Sequence, residues 1–311
     1  MQLTWKASEP TSAFYAAQML DAGHAAADAW LAEAFAPAIE VVRAEFEAAK
    51  LPVAPLFAQF TALAASGVED NRRLVEQAWA KVLGRGAPQA MLLGRLAGTL
   101  GGLRAAFLAA YRANANVEQE HFEQELVDEL LLRGRPIMEQ WEARGPGLLA
   151  QIRRNSEENL LVENAVIALV HPILGGHGLA HRAFNTVTFE TVLTNPDESL
   201  PEMLRIAWLL AQLNLDLPMY AEHLPAERRD LVGQLALLPP VLAAAEHVEL
   251  APLNVATLEQ SIGTWRIEGA GNPAETASTL LTWWDTLEQA ATPWPVALAA
   301  LDQMLTSGPP Q

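Results

Sequence analysis

The apolar residues of this chain recur at intervals of three and four, and that spacing limits what it can fold into more than any other feature. Leu31, Phe35, Ile39, Val42 and Phe46 stack on one face of a helix, as do Leu56, Phe60 and Leu63, and Val75, Trp79 and Val82. Leu92, Leu96, Leu100, Leu103, Phe107 and Tyr111 form the longest stripe; its phase slips by Phe122, Leu126 and Leu130, which places a break near Asn114–Asn116. Pro37 lies inside the first run, where a kink or a fresh start is expected. Proline and glycine divide the rest, at Gly84–Pro88, Gly134–Pro136, Gly145–Gly147, Gly175–Gly178 and Pro239-Pro240 among others. Ser199 to Glu202 and Asn272 to Glu275 have the pattern of capping boxes, the second with Pro273 at the first helical position. Only Ala183 to Leu193 shows alternation, through Phe184, Val187, Phe189, Thr191 and Leu193, and it is too imperfect to assign a strand. The expectation is an all-α protein, an irregular multi-helix bundle with two helical subdomains, residues 1–147 and 148–311. A short helical solenoid is the alternative, although no repeat of fixed period is present.

Charge is unevenly spread. Residues 1–155 carry fifteen basic and eighteen acidic side chains; residues 156–311 carry five and nineteen, so most of the net charge of −17 falls in the second half. An acidic balance of this size argues against binding nucleic acid through phosphate contacts. With 51% hydrophobic residues the chain can bury enough surface to offset the ordering of its backbone, which excludes intrinsic disorder. The absence of cysteine removes disulfides, thiolate metal sites and cysteine nucleophiles. The first residues, Met1 to Lys6, lack the pattern of a signal peptide, and Arg95 and Arg104 interrupt the apolar run from Met91 to Tyr111. A soluble, cytoplasmic protein without a membrane span is expected.

The segment from Leu148 to His181 is richest in chemistry. Read as helix, Leu149, Ile152, Leu160, Ile167, Val170 and Leu174 fall within about 80° of one another, and Glu163 lies on the same stripe. A carboxylate buried there costs several kcal/mol unless it is paired, protonated or bound to something, and Arg95 or Arg104 would be natural partners. Downstream, His171, His177 and His181 surround a glycine-rich turn, with His177 and His181 spaced i, i+4. Imidazole is a common metal ligand, so Glu163, His171, His177 and His181 form a candidate metal set, with Glu190, Glu222 or His223 as possible additions. The competing role is capping of helix ends around the turn. A second pair, Glu118 and His121, has the i, i+3 spacing of carboxylate di-iron bundles, and its only approximate counterpart is Asp21 with His24. No nucleophile elbow, phosphate loop or dinucleotide fingerprint is present, and Gly94, Gly98, Gly101 and Gly102 read as helix-packing residues.

Trp265, Trp283, Trp284 and Trp294 crowd into the acidic half, where aromatic faces beside carboxylates suit a cationic or basic partner, while core packing is the alternative. Two functions follow as expectations. The first is a non-catalytic interaction or scaffold protein whose acidic half meets a protein partner or another copy of itself. The second is a metal- or cofactor-binding helical enzyme with a site between Glu163 and the His171–His181 turn; the cofactor is unspecified.

Overall fold

A computed structural model describes residues 1–84, 86, 88–115, 122–290 and 292–307. The first part runs β1 (Gln2–Ala7), α1 (Glu9–Asp21), α2 (Ala29–Ala48), α3 (Val53–Ser66), α4 (Asn71–Leu83), α5 (Ala90–Ala115) and α6 (Phe122–Asn155). Three short strands follow, β2 (Asn164–Val170), β3 (Gly178–His181) and β4 (Thr186–Glu190). The remainder is helical: α7 (Glu202–Ala211), α8 (Pro218–Ala221), α9 (Arg229–Ala236), α10 (Leu238–His247), α11 (Val255–Thr264), α12 (Pro273–Ala290) and α13 (Trp294–Ser307).

The molecule is mostly helical, but it is not all-α. A four-stranded mixed sheet in the order β1-β2-β4-β3 sits among the helices. β1 runs parallel to β2, from Gln2 opposite Asn164 to Ala7 opposite Leu169; β2 is parallel to β4, and β3 is antiparallel to it. The correction has a physical origin. β2 reads Asn-Ala-Val-Ile-Ala-Leu-Val, an almost unbroken apolar run, as expected of a strand buried on both faces, and in such a run periodicity alone does not separate strand from helix. β4 is buried at every position, which erases the alternation that a half-exposed strand displays. The sheet joins residues 2–7 to residues 164–190, and the position between 147 and 148 lies inside α6.

Several expected breaks are bridged. α2 runs through Pro37, and α6 through Pro136 and Pro146. Gly134 is a packing point rather than a terminator: a Cβ there would lie 2.5 Å from a methyl of Leu169, so its absence lets α6 settle on β2. Other signals act as read. Asn272 accepts from the backbone N–H of Glu275 with Pro273 opening α12, whereas Ser199 turns to Asp197 and leaves α7 to begin behind Pro201. α5 is long and apolar enough, by length and composition, to cross a membrane; its stripe of Leu96, Leu100, Leu103 and Phe107 is buried, and α5 packs against α2, α4 and α1. Trp265, Trp283, Trp284 and Trp294 are buried as well. Trp265 lies 5.2 Å from Trp208, Trp283 lies 5.7 Å from Trp294, and the indole of Trp283 donates to the carbonyl of Ala297.

Candidate functional site

α6 ends at Asn155 and β2 starts at Asn164, so the single helical stripe that would bury Glu163 does not exist. Glu163 is exposed just before β2, and its carbonyl accepts from Gln2 at 2.7 Å, extending the β1–β2 ladder. The arginines expected to pair with it are engaged elsewhere: Arg104 grips the buried Glu9 at 2.5 Å, and Arg95 meets Glu45 at 3.0 Å. Of the di-iron pairs, Glu118 and His121 lie outside the described residues; Asp21 is bound by Arg43 and His24 by Glu268.

The three histidines have different surroundings. His171, at the end of β2, packs edge-on against Phe107 and Tyr111, and burial pushes it down to about 4. His181 closes β3, meets the Thr188 hydroxyl at 3.3 Å and is likewise pushed down to about 4 by burial. His177 stands on the glycine turn between β2 and β3. His177 and His181 line one cavity, while His171 and Glu163 do not reach it. Among the described residues, no three His, Asp or Glu side chains converge as a metal-binding group.

What the turn does hold is a buried relay. Glu190, the last residue of β4, is fully buried and turns its carboxylate into the loop. One oxygen accepts from the backbone N–H of Leu174 at 2.7 Å and the Tyr15 hydroxyl at 3.0 Å; the other accepts from the N–H groups of Gly176 at 2.6 Å and His177 at 2.9 Å. The loop can wrap an anion in this way because Gly175 (φ +79°) and Gly176 (φ +125°) adopt backbone conformations that a side chain disfavours. Tyr15, supplied by α1, also lies 2.9 Å from Nδ1 of His177. Burial, and then the neighbouring Glu190 carboxylate, hold the Tyr15 phenol well above its usual range, so it keeps its proton.

Counting protons sets the tautomer. Tyr15 has one hydrogen and donates it to Glu190, so its oxygen must accept from His177, and Nδ1 carries the ring hydrogen. Burial first, then the positive charge of Arg205, pushes His177 down to about 3. The ring is therefore neutral at physiological pH, with a bare lone pair on Nε2. That atom has no hydrogen bond among the described residues, and it is not among the fully buried atoms left without a partner. It is open to the space beside it.

That space is polar. A cavity of about 590 Å³ is lined by Gln18, His177, His181, Gln212 and Gln234, with Trp208 and Trp265 as an aromatic wall. A second, of about 590 Å³, shares His177, Gln18, Gln234 and Arg266 with it. Both fall within the roughly 300–1,000 Å³ usual for small-molecule sites. Arg182 spans Asp216 and Asp230 at 3.0 and 2.7 Å, offsetting one of their two negative charges. Arg229 and Arg266 donate to the carbonyls of Ala221 and Leu174. Gln18 Oε1 and Arg229 Nε are buried without partners among the described residues. Behind the turn, the buried Arg205 lies 4.2 Å over the ring of Phe189 and bonds to Glu202 and the Glu190 carbonyl. No family model, curated protein or solved structure matches the chain.

Proposed function

We propose that the protein binds a small polar molecule in the cavities beside the glycine turn, and that His177 serves there as a fixed hydrogen-bond acceptor. The observation that carries this reading is the Glu190–Tyr15–His177 relay, which presents an unprotonated Nε2 to a polar space. A catalytic base has the same geometry, and magnitude decides between the two roles. A group pushed down to about 3 holds a proton at pH 7 only at a cost of about 5 kcal/mol. Efficient proton transfer needs a group poised near the working pH. His177 is better suited to recognising a donor, an O–H or N–H of the ligand, than to removing its proton. Gln18 and Gln234, which line both cavities, supply further polar groups for a ligand there. The interaction reading keeps the acidic charge as its support, but the tryptophans it would draw on are in the core.

A thermal-shift screen of sugars, polyols, amino acids and nucleosides tests the proposal. At least one class should raise the melting temperature of the native chain, by an amount that grows with concentration. Affinity should fall about tenfold or more in His177→Ala, through loss of one buried hydrogen bond, and should be nearly constant between about pH 6 and 8. Ligands that bind His177→Ala as well as the native chain would remove the basis of the reading.

A further inference from the structure

On another side of the molecule, one face of α6 forms the wall of a second kind of site. Leu132, Pro136, Ile137, Gln140, Ala143 and Arg144 recur at helical spacing and line a groove of about 870 Å³. Val192, Leu193, Met203 and Leu250 face them. Leu132 and Leu193 are 68% and 78% exposed, large apolar side chains turned outward on both sides of one groove. The charges around it are unequal in their commitments. Glu129 takes both the Tyr111 hydroxyl and Arg133, and Glu202 takes Arg205. Arg144 has no ion pair or hydrogen bond among the described residues, and it stands at the C-terminal end of the lined stretch of α6. The groove therefore combines an apolar floor with one uncompensated positive charge at its end. From Glu129 to Arg144 the helix rises about 22 Å, room for an extended alkyl chain.

We infer that this groove binds a single-chain amphipathic carboxylate, the alkyl chain lying on Leu132, Ile137 and Leu193 and the head group meeting Arg144 and Gln140. A lone guanidinium next to apolar surface matches a monoanion with a hydrocarbon tail, and a charge-assisted bond to it is stronger than a neutral one. A second copy of the chain is a poorer occupant, because each copy carries a net charge of −17 and the two repel. The site is separate from the polar cavities at His177.

Isothermal titration of the full chain with decanoate, 1-decanol and decyltrimethylammonium, each below its micelle concentration, tests the inference. Decanoate should bind saturably, one per chain, at least about tenfold more tightly than decanol, and the cation should bind least. Arg144→Gln should bring decanoate down to the level of decanol without changing decanol itself. Leu193→Asp should weaken both, and His177→Ala neither. Unsaturable uptake, absence of binding, or decanoate affinity unchanged in Arg144→Gln would overturn it. So would a dimer, seen by sedimentation, that decanoate does not dissociate and Leu193→Asp abolishes, since the groove would then belong to a second copy.

Discussion

Glu190 is the residue on which the glycine turn depends. Its carboxylate satisfies three backbone N–H groups that would otherwise be buried without partners, and it accepts the one hydrogen bond that the Tyr15 hydroxyl can donate. Replacing it with Gln keeps the shape but turns one accepting oxygen into a donor, which then faces a donor. Glu190→Gln should therefore cost about 2–4 kcal/mol in urea unfolding; a loss below about 1 kcal/mol would mean that the turn does not need the anion. Little of this arrangement is visible locally in the sequence. His177 stands out because three histidines surround a glycine turn, and Glu190 is conspicuous as an acid closing a hydrophobic segment. Tyr15 carries no such mark: it lies 162 positions from His177, and only the tertiary fold brings α1 beside the turn. Glu163 shows the opposite failure, since its apparent burial rests on one continuous helix where the chain has a helix, a short turn and a strand.

Among the secondary-structure elements, helices were legible and strands were not, for a reason that lies in burial. A helix on a core shows the three-and-four spacing whatever its neighbours do, as α2 does with Leu31, Phe35, Ile39, Val42 and Phe46, all buried. β2 and β4 are covered on both faces and lose their alternation. β1 does alternate, with Leu3 and Trp5 between Gln2, Thr4 and Lys6, but a six-residue strand is too short to stand out without its partner. Proline and glycine are ambiguous for a related reason: at Gly134 the small residue serves close packing onto Leu169, whereas at Gly176 it serves backbone conformation. Gly176→Ala should be costly on two grounds. Its φ of +125° disfavours a side chain, and a Cβ would approach Pro196 Cγ to 2.9 Å. A loss of about 1–3 kcal/mol in chemical unfolding is expected, and an unchanged midpoint would contradict the strained turn.

Taken as one structure, the protein should be sensitive to mild acid. His171, His177 and His181 are buried and pushed down to about 4, 3 and 4, chiefly by desolvation. In the unfolded chain each takes a proton near its ordinary value of about 6.5. Between that value and the folded ones the unfolded state binds more protons, so stability is complete above about pH 6.5 and falls as the pH drops toward 4. At about pH 5 each histidine accounts for about 2 kcal/mol, a combined loss comparable to the whole stability of many domains. Urea unfolding at stepped pH should show this decline, and a flat profile from about pH 7 to 5 would show that the histidines titrate normally. The charge asymmetry and the helical character were plain from the chain itself, while the sheet that joins residues 2–7 to residues 164–190 was hidden in apolar runs. The proposed recognition site depends on one protonation state, and nitrogen-15 NMR of the His177 imidazole reads it. The account predicts a neutral ring with hydrogen on Nδ1 and a bare Nε2 in the folded chain, unchanged from about pH 8 to 6. A ring carrying hydrogen on Nε2, or one that titrates near 6.5, would contradict it.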